Sequence, residues 1–176
     1  MRESILPATA FEAEQLRKRF YASSAQLSFT RPGPIADLGR SLHCPTMPQH
    51  IGYIALLVRE YDEAISYFIE KLGFTVAEDT DLGGGKRWVL VAPPGSVETQ
   101  LVLAKAVSAD QLSRIGNQTG GRVFLFLHTD DFWRDYQAYR SRGVVFREEP
   151  REEQYGIVAV FEDLYGNRWD LMELKR

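Results

Sequence analysis

Two stretches of this chain read alike: GYIALLVREYDEAISYFIEKLGFTV, from Gly52 to Val76, and GRVFLFLHTDDFWRDYQAYRSRGVVF, from Gly121 to Phe146. Each opens on an apolar strand, passes through acidic residues into a helix, and closes on a glycine before a second strand. Tyr53 and Arg122 are 69 residues apart, and Gly73 and Gly143 are 70 apart, so one residue is gained near the end of the second helix. Self-similarity at a fixed period marks one supersecondary unit used more than once.

Each part of the unit has a physical reason. Asp62 and Asp131 fall in the first helical turns, where a carboxylate meets free N–H groups and the positive end of the helix dipole. Ile65, Phe68, Ile69 and Leu72 recur at i, i+3, i+4 and i+7, which predicts one buried stripe. Phe132, Tyr136 and Tyr139 do the same in the second copy, with Trp133 beside them. Gly73 and Gly143 suit the left-handed position that ends a helix.

Working outward, further strands follow each copy. FTVAEDT (74–80) leads through a DLGGG turn into KRWVLVA (86–92), and Pro93-Pro94-Gly95 turns the chain into VETQLVLA (97–104). SADQLSRIG (108–116) reads as a short connecting helix, and GNQTGG as a loop. After the second helix come VVFREE, YGIVAVFEDL, a Tyr165-Gly166-Asn167 turn and RWDLMEL. REEPREE (147–153) reads as a solvated charged rim or loop. DLGGGK lacks the spacing of a phosphate-binding loop and joins strand to strand, so it reads as a hairpin turn. The pattern is strand–helix–strand–strand–strand, twice. It predicts an α+β fold of two βαβββ modules, at about 50–105 and 120–174, forming a curved half-barrel sheet with helices on its outer face.

Composition narrows the function classes. The chain has 176 residues, 44% hydrophobic and 26% charged, with a net charge of −3. That describes a globular protein with a sizeable core, and nothing in it points to nucleic acid. No apolar run is long enough for a membrane span, and the N-terminus lacks a signal-peptide apolar core. Cys44 is the single cysteine, which excludes an intrachain disulfide and fits a reducing cytoplasm. Residues 1–46 carry six Arg/Lys and four Asp/Glu, leaving −5 on residues 47–176. Segment 10–27 could form a weakly amphipathic helix through Leu16, Phe20 and Leu27. TRPGPIADLGRSLHCPTMPQ reads as a linker. Residues 1–46 therefore read either as an N-terminal extension or as the result of a start set upstream of Met47.

Three segments carry a resemblance to a known family: IGYIALLVREYDEAISYFIEKLGF, ETQLVLAKA and VFEDLYGNRWDLMEL. Together they resemble the vicinal oxygen chelate superfamily, the glyoxalase/bleomycin-resistance/extradiol dioxygenase fold, over about residues 47–176. The resemblance implies a homodimer in many members, with cavities at module or subunit junctions. It also implies four inward strand positions that hold a divalent metal through His, Glu or Gln in metal-bearing members. Those positions here are Tyr53, Gln100, Arg122 and Asp170.

Strand alternation places the same residues independently. Ile54, Leu56 and Val58 would face the helices and leave Tyr53 on the open face. Val123, Leu125 and Leu127 would face the helices and leave Arg122, Phe124, Phe126 and His128 on the cavity side. Trp169 and Leu171 would be core, with Arg168, Asp170 and Met172 inward. Trp88 fits core or pocket. Only Gln100 and Asp170 are capable metal ligands, because a phenol ionises near pH 10 and a guanidinium offers only donors. His43, His50 and His128 show no ligand spacing.

Arg122 and Asp170 could pair across the wall. Alternatively, Arg122 could anchor an anionic ligand, with hydrogen bonds from Tyr53 and Gln100 and an apolar wall of Val102, Phe124, Phe126 and Met172. Three functions remain open at this stage. One is a metal-independent protein binding a small anionic or aromatic molecule in the cavity. Another is a lyase or dioxygenase of the glyoxalase/dioxygenase type with a divalent metal. The third is a non-catalytic interaction or regulatory module.

Overall fold

The computed structural model describes residues 50–175. The proposed N-terminal helix, the linker and Cys44 lie outside them. Among the described residues the order is β1 (Tyr53–Val58), α1 (Tyr61–Glu70), β2 (Thr75–Gly83), β3 (Lys86–Ala92), β4 (Gln100–Lys105), α2 (Ala109–Arg114), β5 (Val123–His128), α3 (Phe132–Ser141), β6 (Val145–Phe146), β7 (Arg151–Glu153), β8 (Gly156–Glu162) and β9 (Arg168–Leu174). They form two sheets, ordered β1-β4-β3-β2 and β5-β9-β8-β6, with β7 also paired to β8. In each sheet the edge strand that leads into a helix pairs in parallel with the module's last strand, and the other pairs are antiparallel. The α+β fold of two open βαβββ modules is thus present.

The helix ends follow local chemistry. Asp131 caps α3 by accepting from Arg134 N at 3.0 Å, and Ser108 caps α2 through a capping box with Gln111. Gly73 (φ 72°) and Gly143 (φ 83°) end their helices in the left-handed region. Between paired Gly83 and Lys86, Gly84 and Gly85 both take positive φ, as a two-residue hairpin turn requires.

Two expectations change. The α1 stripe runs through Tyr61, Ala64, Phe68 and Leu72, and Ile69 is 42% exposed because it lies about 100° round the helix from Phe68. VVFREE shortens to a two-residue strand, and REEPREE is part loop and part strand. Pro150 has no N–H to give a ladder, and pairing resumes at Arg151.

One apolar cluster joins both modules. Trp169 is its hub: its ring lies 6.1 Å from Phe68, 6.3 Å from Phe74 and 5.8 Å from Phe161. Polar links run alongside. Tyr67 Oη donates to the Glu162 carbonyl at 3.0 Å, and Tyr165 Oη donates to Glu63 Oε1 at 2.7 Å. The Gln118 side chain lies along the edge of β1, accepting from Leu57 N (2.7 Å) and donating to the Ala55 carbonyl (3.1 Å).

Candidate functional site

Register decides which side chains share a face. Across the first sheet, Leu56, Leu103 and Val89 line up on the buried side, as do Leu101 and Val91. The opposite, open face carries Tyr53 beside Gln100, then Ala55 beside Val102 and Leu90. Trp88 has the parity of Leu90, and its ring meets Tyr53 edge-on at 5.7 Å. This resolves Trp88 as a half-buried member of the open face. Glu78, partnered with Leu90, lies there too and accepts from Thr80 Oγ1 at 3.0 Å.

Across the second sheet, Leu125, Trp169 and Phe161 line up towards the helices, as do Leu127, Leu171 and Ala159. The open face carries Phe126, Asp170 and Val160 in one row and His128, Met172 and Val158 in the next. Phe126 is 59% exposed, while Asp170 is only 9% exposed.

Phe124 and Arg122 sit differently from the simple alternation. A register shift between Val123 and Leu125 inserts Phe124 as an extra residue opposite β9. Its ring packs edge-on against Trp169 at 6.5 Å and joins the core side. Arg122 precedes the strand and is exposed, with its carbonyl accepting from Thr119 Oγ1 at 2.6 Å. Among the described residues no ion pair joins Arg122 to Asp170. The structure therefore brings Tyr53, Gln100 and Val102 together on one sheet, and Phe126, Asp170 and Met172 on the other.

Asp170 is the chemically distinctive member. Its Oδ1 is buried and has no hydrogen-bond partner among the described residues. Burial pushes its carboxyl above the ordinary carboxylate value, and Arg151 only partly opposes this. Arg151 is itself engaged by Glu148 and by Glu153 at 3.0 Å. Asp163, in the turn before β9, is the contrasting case. It is 6% exposed but accepts from Tyr165 N (2.9 Å), Asn167 N (3.0 Å), Asn167 Nδ2 (2.9 Å) and Trp169 Nε1 (3.3 Å). Burial raises its carboxyl too, against the pull of these hydrogen bonds. It holds the turn that starts β9 and so positions Asp170.

The four positions that the resemblance implies would offer a carboxylate (Asp170), an amide (Gln100), a phenol (Tyr53) and a guanidinium (Arg122), where catalytic divalent metals take imidazole, carboxylate or thiolate. Among the described residues no three His, Cys, Asp or Glu side chains gather in metal-binding geometry. Two surface clefts, of about 540 and 520 Å³, lie elsewhere. The first is lined by Trp133, Tyr136 and Arg140 on α3, and the second lies between α3 and the Pro93-Pro94 turn. His128 alone of the open-face residues reaches either cleft, so strand register is the better guide to the site.

Comparison with known proteins agrees with this architecture. A protein of Shewanella frigidimarina (strain NCIMB 400) without assigned function is 56% identical over 129 residues, covering 73% of this chain and 96% of its own. The crystal structure of UcmS2 is similar with a TM-score of 0.63 and 29% identity, over 72% of this chain and 98% of that one. TnmS3, an antibiotic binding protein from Streptomyces sp. CB03234, is similar with a TM-score of 0.59 and 28% identity, over 73% and 98%. Residues 50–171 match the family model of the Glyoxalase/Bleomycin resistance protein/Dioxygenase superfamily, and the chain belongs to that superfamily.

Proposed function

We propose that this protein binds a small aromatic molecule on its open sheet faces without a catalytic metal. The observation that carries the reading is the composition of those faces. Large apolar and aromatic side chains, Tyr53 (40% exposed), Trp88, Phe126 and Met172, stand on sheet faces turned away from the described helices, with few polar groups, Gln100 and Asp170, set among them. That mixture is typical of small-molecule sites. The similarity to TnmS3, an antibiotic binding protein, supports it.

The contacts between modules run through the helix side and the strand ends: Phe68 with Trp169, Tyr67 with Glu162, Gln118 with β1. We therefore take the cavity to be completed in a homodimer, in a reducing cytoplasm that suits the lone Cys44. No helix among the described residues is long and apolar enough to cross a membrane.

The test is a thermal-shift screen of aromatic compounds run with and without chelator, together with elemental analysis and light scattering. A hit whose stabilisation survives chelator supports the reading. One Zn, Ni, Fe or Mn per chain, lost on Gln100→Ala or Asp170→Ala, would restore the lyase or dioxygenase alternative. A monomeric mass would remove the homodimer.

A further inference from the structure

We infer that Asp170 anchors the ligand, and that the ligand is an aromatic molecule carrying a protonated amine or amidine. This rests on the binding reading above and names its ligand class.

The charges around Asp170 are otherwise committed. Arg151 on β7 is paired with Glu148 and Glu153. Arg168 on β9 donates to the Gly121 carbonyl at 2.9 Å. Arg147 is paired with Glu162 of β8 at 2.6 Å. Glu78 on the first sheet has Thr80. His128, on β5, lies one row further along and is exposed. Asp170 is the buried carboxylate of the open face whose Oδ1 is without a partner among the described residues.

A buried carboxylate oxygen without a donor is costly to leave so, and a bound cation is one way a folded protein satisfies it. Its immediate neighbours in register, Phe126 and Val160, are apolar. A cation placed there gains a charge-assisted hydrogen bond in a low-dielectric setting. Exposed aromatic faces add attraction for a cation and for the ring that carries it. Arg122, the candidate anchor for an anion, lies off this face. Arg151 does share the open face, opposite Val158, but Glu148 and Glu153 hold its charge, so the unpartnered group left on the face is a carboxylate, which favours a cation over an anion.

The test uses three ring probes on the full-length protein by titration calorimetry near neutral pH: 9-aminoacridine, protonated there; acridine, largely neutral; and 1-anilinonaphthalene-8-sulfonate, an anion. The expected result is that 9-aminoacridine binds at least tenfold more tightly than either other probe. Asp170→Asn should remove that preference, while Asp110→Asn, the same charge change on exposed α2, should leave it. The comparison among probes needs no variant, so it stands even if Asp170→Asn fails to fold. Equal or tighter binding of acridine or the sulfonate overturns the anchor and leaves the binding reading in place, as does an Asp170→Asn protein that keeps the preference. Failure of all three to bind counts against both.

Discussion

Asp170→Asn should make the protein more stable at neutral pH, although it alters the residue we assign to the ligand. The wild-type carboxylate keeps Oδ1 buried without a donor among the described residues. An unsatisfied buried acceptor costs roughly 1–3 kcal/mol, more if charged. Asparagine has nearly the same shape and no charge, and it can turn its oxygen inward and its NH2 outward. An orphan acceptor remains but its charge is gone, so the expected gain is about 1 kcal/mol. For a domain of this size that is roughly 3–4 °C in Tm.

The pH dependence fixes the sign. Burial raises the folded-state pKa of Asp170 above its unfolded value. The folded protein then binds the proton more tightly, and wild-type stability falls as pH rises from the ordinary carboxylate range through the folded pKa. Asp163 shifts in the same direction but is common to both proteins, so the difference between them isolates Asp170. The variant's advantage should be absent at low pH, grow as the wild-type group ionises, and then level off. Calorimetric melts of both proteins across the acid-to-neutral range measure it. A variant less stable at neutral pH, or a difference that does not change with pH, would refute the claim that this carboxylate is desolvated and unpaired.

Three further outcomes are expected. Asp163→Ala strands four donors around the turn before β9 and should cost about 3 kcal/mol or more, read as a lower urea midpoint at unchanged slope. Gly116→Ala should cost roughly 2 kcal/mol or more in the same assay, because φ is +76° and the new Cβ would lie 2.0 Å from the Tyr165 carbonyl oxygen. Gln118→Ala should cost about 1 kcal/mol and leave the Leu57 amide unprotected, seen as faster hydrogen exchange at that residue than at its neighbours in β1.

The sequence alone determined the repeat, the class of fold and much of the ladder. KRWVLVA and RWDLMEL became strands with the same bounds. Gly73 and Gly143 ended the helices, and Asp131 capped one. These features depend on local chemistry and on two periodicities, 2.0 and 3.6, which a single strand or helix carries within itself. Tyr53, Gln100, Val102, Phe126, Asp170 and Met172 could be placed on open faces for the same reason.

Tertiary structure decided what depends on a partner. The extra residue at Phe124 exists only against β9, so alternation along β5 could not reveal it. Trp88 joined Tyr53 through the order of three strands. Gln118, in a loop with no apolar pattern, became a support for β1 because the modules bring them together. Asp163 and Asp170 are seven residues apart and both buried acids. One gathers four donors, while the other's buried Oδ1 has none among the described residues, and that difference comes from the shape of the turn and the neighbouring strands. That Tyr53 and Arg122 are poor metal ligands follows from side-chain chemistry alone; that Asp170 Oδ1 is buried without a partner among the described residues is a property of the packed molecule.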